Sequence, residues 1–284
     1  MSKWIDKPLG DVTLYLAKGI PPKYTEELTE NAIYVLNQKC NRDFVISYEL
    51  ARFHDLSKKK VAEEKMVQPG DVFINSTGDG TAGRVAQMWS VPYPTTTDGH
   101  MILLRPIPEI DPLYYGYAIK AHQVKIESLA EGSTGQTEIN KKRLKEEIII
   151  SFPENKEEQH KIAKVLADID NKIIVNNEIN RNLQEQAQAI FNNIFIDYSL
   201  FGGIKPDGWQ DFLLGELCSC ELGGTPSRKK EDYWNGDIPW INSGEVNLFR
   251  IIKPSEGITK LGLNKSATKL LPAKTTVLAI TGTT

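Results

Sequence analysis

Two hydrophobic rhythms divide this chain. Over residues 1–152 the apolar positions arrive in short runs: IYVLN (33–37), DVFIN (71–75), GRVAQMW (83–89), HMILLRP (100–106) and EEIIISF (146–152). Runs of this length, rich in Ile, Val and Leu and bounded by Gly, Pro or Asn, predict strands. PLYYGYAIKAHQVKIES (112–128), with Pro at its start, predicts one helix. The expectation is an α+β domain around a twisted mixed sheet with long connecting loops.

The second rhythm begins after Pro153, beyond which neither Pro nor Gly occurs until Gly202. Glu154, Glu157 and Glu158 occupy the first turns, where carboxylates favour a helix N-terminus, and Gly202-Gly203 supplies a stop. Apolar positions then step by four and three through Ile162, Leu166, Ile169 and Ile173, and again through Leu183, Ala187, Ile190 and Ile194. Asn176 and Asn180 sit on the same seam in the middle. A heptad seam with a polar centre predicts a long coiled-coil helix whose register is set by amides. The other reading is an ordinary amphipathic core helix; its length argues against that, since globular helices average about 11–12 residues. Such a rod needs a partner helix, from a second copy or another protein.

The chain also begins twice. At an offset of 205, Trp4 matches Trp209, Asp6 Asp211, Leu9 Leu214, Gly10 Gly215, Gly19 Gly224, Pro21 Pro226, Glu26 Glu231, Ile33 Ile238, Asn37 Asn242 and Phe44 Phe249. These are ten identities over 41 positions without a gap, at residue types that set turns and core contacts. With a small gap, VQPGDVFINSTG (67–78) is echoed by LPAKTTVLAITG (271–282). The division expected is a first unit at 1–152, a spacer helix at 153–201 and a partial second unit at 202–284. The second copy has no match to residues 80–152, so its apolar face is expected to be poorly stable without another chain to complete it. Cys218 and Cys220 are expected to alternate across its first strand.

Composition narrows the function classes. Net charge is −3 and the isoelectric point about 5.9, which gives no overall basic footprint; positive charge is local, at Lys58–Lys60, Lys141–Arg143 with Lys145, and Arg228–Lys230. No apolar run approaches the ~18 residues of a membrane span, and the N-terminus has no signal core, so no membrane partner is expected. Three cysteines without a CxxC pair suit a cytoplasmic protein. Catalytic patterns are missing. The 78–83 stretch is no Walker loop, SVPYP (90–94) is no methyltransferase motif, and Glu63-Glu64-Lys65 lacks a supporting upstream Asp. His54, His100, His122 and His160 have no ligand spacing. Neither cofactor nor metal is called for.

Three loops carry the candidate chemistry: 75–85, 94–100 and 131–146. They offer small hydroxyls and glycine (Ser76, Thr77, Gly78, Thr81, Thr96, Thr97, Ser133, Thr134), amides (Gln136, Asn140) and cations (Arg84, Lys141, Lys142, Arg143). Hydroxyls, backbone N–H groups and cations suit phosphates, whereas amides and Arg can reach base edges. Each loop taken alone reads equally well as ordinary turn chemistry.

A unit opening W-x-x-x-x-L-G, closing on INKKRLKEEIIISFP and running into EEQHKIAKVLADIDNKI…NLQEQAQAIFNNIF resembles the specificity subunit of type I restriction–modification systems. The resemblance implies a target recognition domain followed by a long helix, each repeated, with the helices paired antiparallel. It implies a non-catalytic subunit that reads a bipartite site on double-stranded DNA. It further implies partners, namely methyltransferase (M) subunits and, for cleavage, restriction (R) subunits. A full member completes its second domain and adds a second helix, so the chain is expected to be a truncated product, or a half-subunit that pairs its helix with that of a second copy. Two other readings stand beside it: a non-catalytic remnant of a methyltransferase or nuclease fusion, and a coiled-coil adaptor without a DNA role.

Overall fold

The structure, a computed structural model, describes residues 3–78, 80–132, 137–247 and 250–280. It separates into two compact units, Met1–Ile190 and Phe191–Thr284. In the first, DVFIN forms the strand Asp71–Asn75, paired antiparallel with Met101–Pro106 on one side and Val85–Met88 on the other. Thr13–Lys18 joins the far edge of Met101–Pro106. Alternation sends Val72, Ile74, Ile102 and Leu104 into a large core with Leu9, Tyr115, Ile119, Leu144 and Ile150. Phe73, Met101 and Leu103 face a smaller core with Leu36, Cys40 and Met88. Burial on both faces explains why these strands read as unbroken apolar runs.

A second four-stranded sheet is mixed: Thr95–Thr97 runs parallel to Ala32–Leu36, which pairs antiparallel with Arg52–Asp55, and that strand with Tyr24–Thr25. The single sheet expected from sequence thus resolves into two four-stranded sheets and several two-stranded ones, and the turn at Asp98–His100 carries the chain from Thr95–Thr97 into the antiparallel sheet. The helix expected at 112–128 is two, Pro112–Ala121 and Gln123–Glu127, interrupted at His122, whose ψ of 6° leaves the helical region. Glu146 and Glu147 end the helix Lys141–Glu147, and only Ile149–Pro153 is strand, antiparallel to Trp4–Pro8.

The long helix runs Lys156–Phe191, 36 residues, or about 54 Å at 1.5 Å per residue. Asn155 caps it, its side-chain oxygen accepting from the N–H groups of Glu157 (2.8 Å) and Glu158 (3.2 Å). Its first turns are fastened to the globular domain. Buried Gln159 donates to the Pro153 carbonyl (2.8 Å) and accepts from the Asp111 N–H (2.8 Å), Ala163 enters the large core, and the Tyr117 hydroxyl donates to Asp170 (2.7 Å). The start of the helix is thus packed on the first compact unit. From Asn171 to Ile190 every residue is exposed. A π-turn at Asn192–Ile196 follows in the second unit.

The second unit pairs Trp234–Trp240 with Glu256–Ile258 and buries Tyr233, Trp240 and Ile258. The duplication is visible in backbone geometry. A Cβ on Gly19 would lie 2.1 Å from the Thr97 carbonyl oxygen, and one on its counterpart Gly224 2.7 Å from the Ala267 carbonyl carbon, so both positions require glycine. Gly70 turns the chain with φ +91°, and Lys274, at the gapped offset of 204, does so with φ +70°. Cys218 and Cys220 do not lie on a strand: they follow the short helix Leu214–Leu217 and are exposed. Among the described residues, no helix is long and apolar enough to cross a membrane.

Candidate nucleic-acid interface

The three loops singled out from sequence meet at Thr77. Its backbone bridges to Glu138, and its hydroxyl lies 2.7 Å from His100 Nδ1 and 3.3 Å from Gln38 Oε1. The hydroxyl has one proton, and Gln38 Oε1 can only accept, so Thr77 donates to Gln38 and accepts from His100 Nδ1–H. That leaves Nε2 of exposed His100 as an acceptor and the Gln38 amide nitrogen as a donor. Paired donor and acceptor edges of this kind suit the edges of bases. Lys18 closes the rim through Glu138 (2.5 Å).

Other candidate residues are structural. Ser76, Thr96 and Thr97 are buried rather than presented at a loop surface. Ser76 ties the loops together with its backbone, its N–H donating to the His100 carbonyl (2.7 Å) and its carbonyl accepting from Ile139 (2.8 Å). Thr96 donates to the Lys65 carbonyl (2.9 Å), and Thr97 pairs with Leu36 inside the mixed sheet. Gly78 begins a turn whose carbonyl accepts from the N–H groups of Thr81 (3.1 Å) and Ala82 (2.9 Å); the Thr81 hydroxyl is turned inward. Asn140 caps Lys141–Glu147, accepting from Lys142 and Arg143, and donates to Glu131 (2.9 Å).

Arg143 is clamped between Glu131 (2.7 Å) and Glu147 (2.5 Å), so its charge is spent inside the protein instead of being offered to DNA. Asn140 and Arg143 hold the Glu131 carboxyl below the ordinary range, and Arg143 does the same to Glu147. Lys141 and Lys142 remain exposed. Ser133, Thr134 and Gln136 lie outside the described residues.

Residues the sequence did not single out complete the surface. Gln38 comes from a turn far from all three loops, and His100 gave no signal because its partner is 23 residues away. Beside this cluster, Arg84 lines a cleft of about 720 Å³ together with Arg42, Asp43, Phe44, Lys120 and Gln123. Among the described residues, no His, Cys, Asp or Glu group is arranged to hold a metal ion. His54 uses both ring nitrogens internally, accepting from Lys23 N–H (2.8 Å) and donating to the Lys59 carbonyl (2.7 Å). Lys65 of the Glu-x-Lys tripeptide donates to the carbonyls of Lys18 and Gly19.

On the long helix, Leu166, Ile169, Ile173, Asn176, Asn180, Leu183, Ala187 and Ile190 are exposed. Ile162 differs: it packs against the domain core. Ile194 is half-buried in the π-turn. The seam adjoins the docked positions (Gln159, Ala163, Asp170) at its start and is fully exposed from Ile173 onward to Ile190. Leu166 and Ile169 also wall an apolar groove with Tyr117 and Ala121.

The MjaIX type I restriction enzyme specificity subunit of Methanocaldococcus jannaschii is 28% identical over 181 residues, covering 60% of this chain and 41% of that protein. A putative type I specificity subunit of Mycoplasma genitalium is 32% identical over 163 residues, covering 54% and 40%. The chain thus spans about two-fifths of these relatives' length. The crystal structure of a type I restriction-modification S subunit from M. genitalium matches 91% of the chain and 63% of its own, with a TM-score of 0.53 at 20% identity, a likeness of fold. The family model described as the type I restriction modification DNA specificity domain matches residues 1–185 and again 206–284, reproducing the internal duplication. With both copies matched, the chain belongs to the type I restriction modification DNA specificity domain family.

Proposed function

We propose that this chain is a non-catalytic DNA-reading subunit that directs methyltransferase and, for cleavage, restriction subunits to a site on double-stranded DNA in the cytoplasm. The observation that carries this reading is the convergence at Thr77 of three chain-distant loops, edged by Gln38 and His100, on a domain from which a long helix extends. Loops held by a rigid sheet suit base reading, and the exposed heptad seam suits pairing with another helix. The partner helix is that of a second copy. Asn176 and Asn180 then meet their own mates across a twofold axis, where amides pair with amides, and each copy reads one half-site. An adaptor without a DNA role gives no reason for such a loop cluster, and a catalytic remnant no reason for a duplicated reader.

Co-expression with a cognate methyltransferase subunit, followed by methylation mapping of host DNA, tests this. A gapped palindromic motif is expected. An asymmetric motif would sink the two-copy arrangement. No methylation, with the same partner active beside an intact specificity subunit, would sink the reading for this chain.

A further inference from the structure

The cleft beside the reading cluster combines three cations with a hairpin held in an unusual conformation. Asn41–Arg42 pairs with Val45–Ile46 across a two-residue turn, and both turn residues have positive φ, Asp43 at 53° and Phe44 at 65°. Such a turn normally ends in glycine, so a phenylalanine here is kept against its backbone preference. Its ring explains why: it packs 5.2 Å from Tyr117 and lies beneath the Lys120 ammonium at 4.1 Å. Phe44 thereby pins the hairpin to the helix Pro112–Ala121. Asn41 pins it to the 75–85 loop, donating to the Arg84 carbonyl (2.9 Å) and to Asn75 (3.1 Å). Arg42, Arg84 and Lys120 are thus gathered at one cleft. Arg84 gives one N–H to the Gly80 carbonyl (3.1 Å), and Lys120 is shared at 3.5 Å with Asp170.

We propose that this cleft grips the phosphodiester backbone of duplex DNA and sets the position of the domain without reading sequence. The proposal rests on the DNA-reading function above. Three cations stand against two carboxylates, Asp43 in the lining and Asp170 on Lys120, a net positive balance that favours an anion over a neutral ligand. A flipped or single-stranded base is disfavoured, because the one aromatic ring in the cleft is already covered by Lys120 and packed against Tyr117. Arg84 lies on the loop that presents Thr77, so a phosphate held here indexes the neighbouring cluster against the groove.

The test measures duplex DNA binding by the full chain with its methyltransferase partner as salt is varied, for the parent, Arg42→Gln, Lys120→Gln and Phe44→Gly. Phe44→Gly suits its turn but releases Arg42, so it separates loss of the anchor from loss of the fold. Lys7→Gln on the exposed strand Trp4–Pro8 is the charge-matched control. Each glutamine variant is expected to weaken binding to all sequences alike, to lower the slope of log K against log salt by about 0.9, and to leave the methylated motif unchanged. Phe44→Gly is expected to behave as Arg42→Gln does. An unchanged slope in the cleft variants, or an equal drop for Lys7→Gln, overturns the cleft assignment while leaving DNA reading intact. Absence of any salt-dependent binding by the parent complex overturns both.

Discussion

Leu9 and Leu214 occupy the same place in the two copies, as do Val12 and Leu217, yet their surroundings are opposite. Leu9 and Val12 are 0% exposed; Leu214 and Leu217 are 62% and 66% exposed. In the first unit the covering comes from far along the chain. Leu144, Ile148 and Ile150 share a core with Leu9, whose N–H donates to the Ile148 carbonyl at 2.7 Å. The second unit as given has no residues matching that segment, and its short helix Leu214–Leu217 forms uncovered. Local sequence is therefore enough to turn the chain alike in both copies, while burial depends on a segment more than 130 residues away.

The largest expected effect tests that contrast directly. Leu9→Ala should destabilise the first unit by about 2–5 kcal/mol, because it removes a fully buried side chain and leaves a cavity. Leu214→Ala should stay within about 0.5 kcal/mol, the range of an exposed substitution. Amide exchange resolved by segment would show the difference, and equal losses would break the comparison.

A smaller effect tests the backbone echo. Gly70 and Lys274 both turn with positive φ, but only the first is glycine. Exchanging Lys274 for Gly should stabilise the second unit by about 1 kcal/mol or less, and Gly70→Ala should weaken the first by a similar or larger amount. Thermal unfolding of the two variants checks this; a loss of stability in Lys274→Gly would mean that the turn is not the counterpart of Gly70.

The smallest effect concerns one clamp in each copy. Arg143 holds Glu131 and Glu147, and Arg228, stacked 3.7 Å over Trp234, holds Glu256. Hydrogen bonds from these arginines, together with Asn140 on Glu131, keep the three carboxyls below the ordinary glutamate range. Folded values below unfolded ones mean that the contribution is present above the usual range near ~4.3 and is lost as pH falls through the lowered values. Amide protection factors of residues 141–147 and 256–258, corrected for the intrinsic exchange rate, should fall on acidification. Arg143→Gln should flatten that response in the first unit only; an unchanged profile would deny the clamp its part.

Much of the fold was legible because it is local. The strand Asp71–Asn75, the long helix with its carboxylate-rich start, and the doubled opening all follow from residues close together in sequence. The site was legible only as a set of loops. Thr77 joins the three loops and Lys141 and Lys142 are exposed, but Ser76, Thr96 and Thr97 looked the same in sequence and are buried. Hydroxyls and small residues serve a hidden strand as well as an exposed loop, so composition does not separate the two. The pairing of Arg143 was hidden for a related reason: a cation in a basic run gives no sign that two carboxylates already hold it.

By itself the sequence determined that the chain carries a duplicated opening and a long helical rod, since heptad spacing, turn residues and repeats act over a few residues at a time. Tertiary structure decided which side chains face outward, which cations are spent, and that Gln38 and His100 belong beside Thr77. Those outcomes depend on contacts closed across 23, 39 or more than 130 residues, where chain entropy must be overcome by the packing of the whole core.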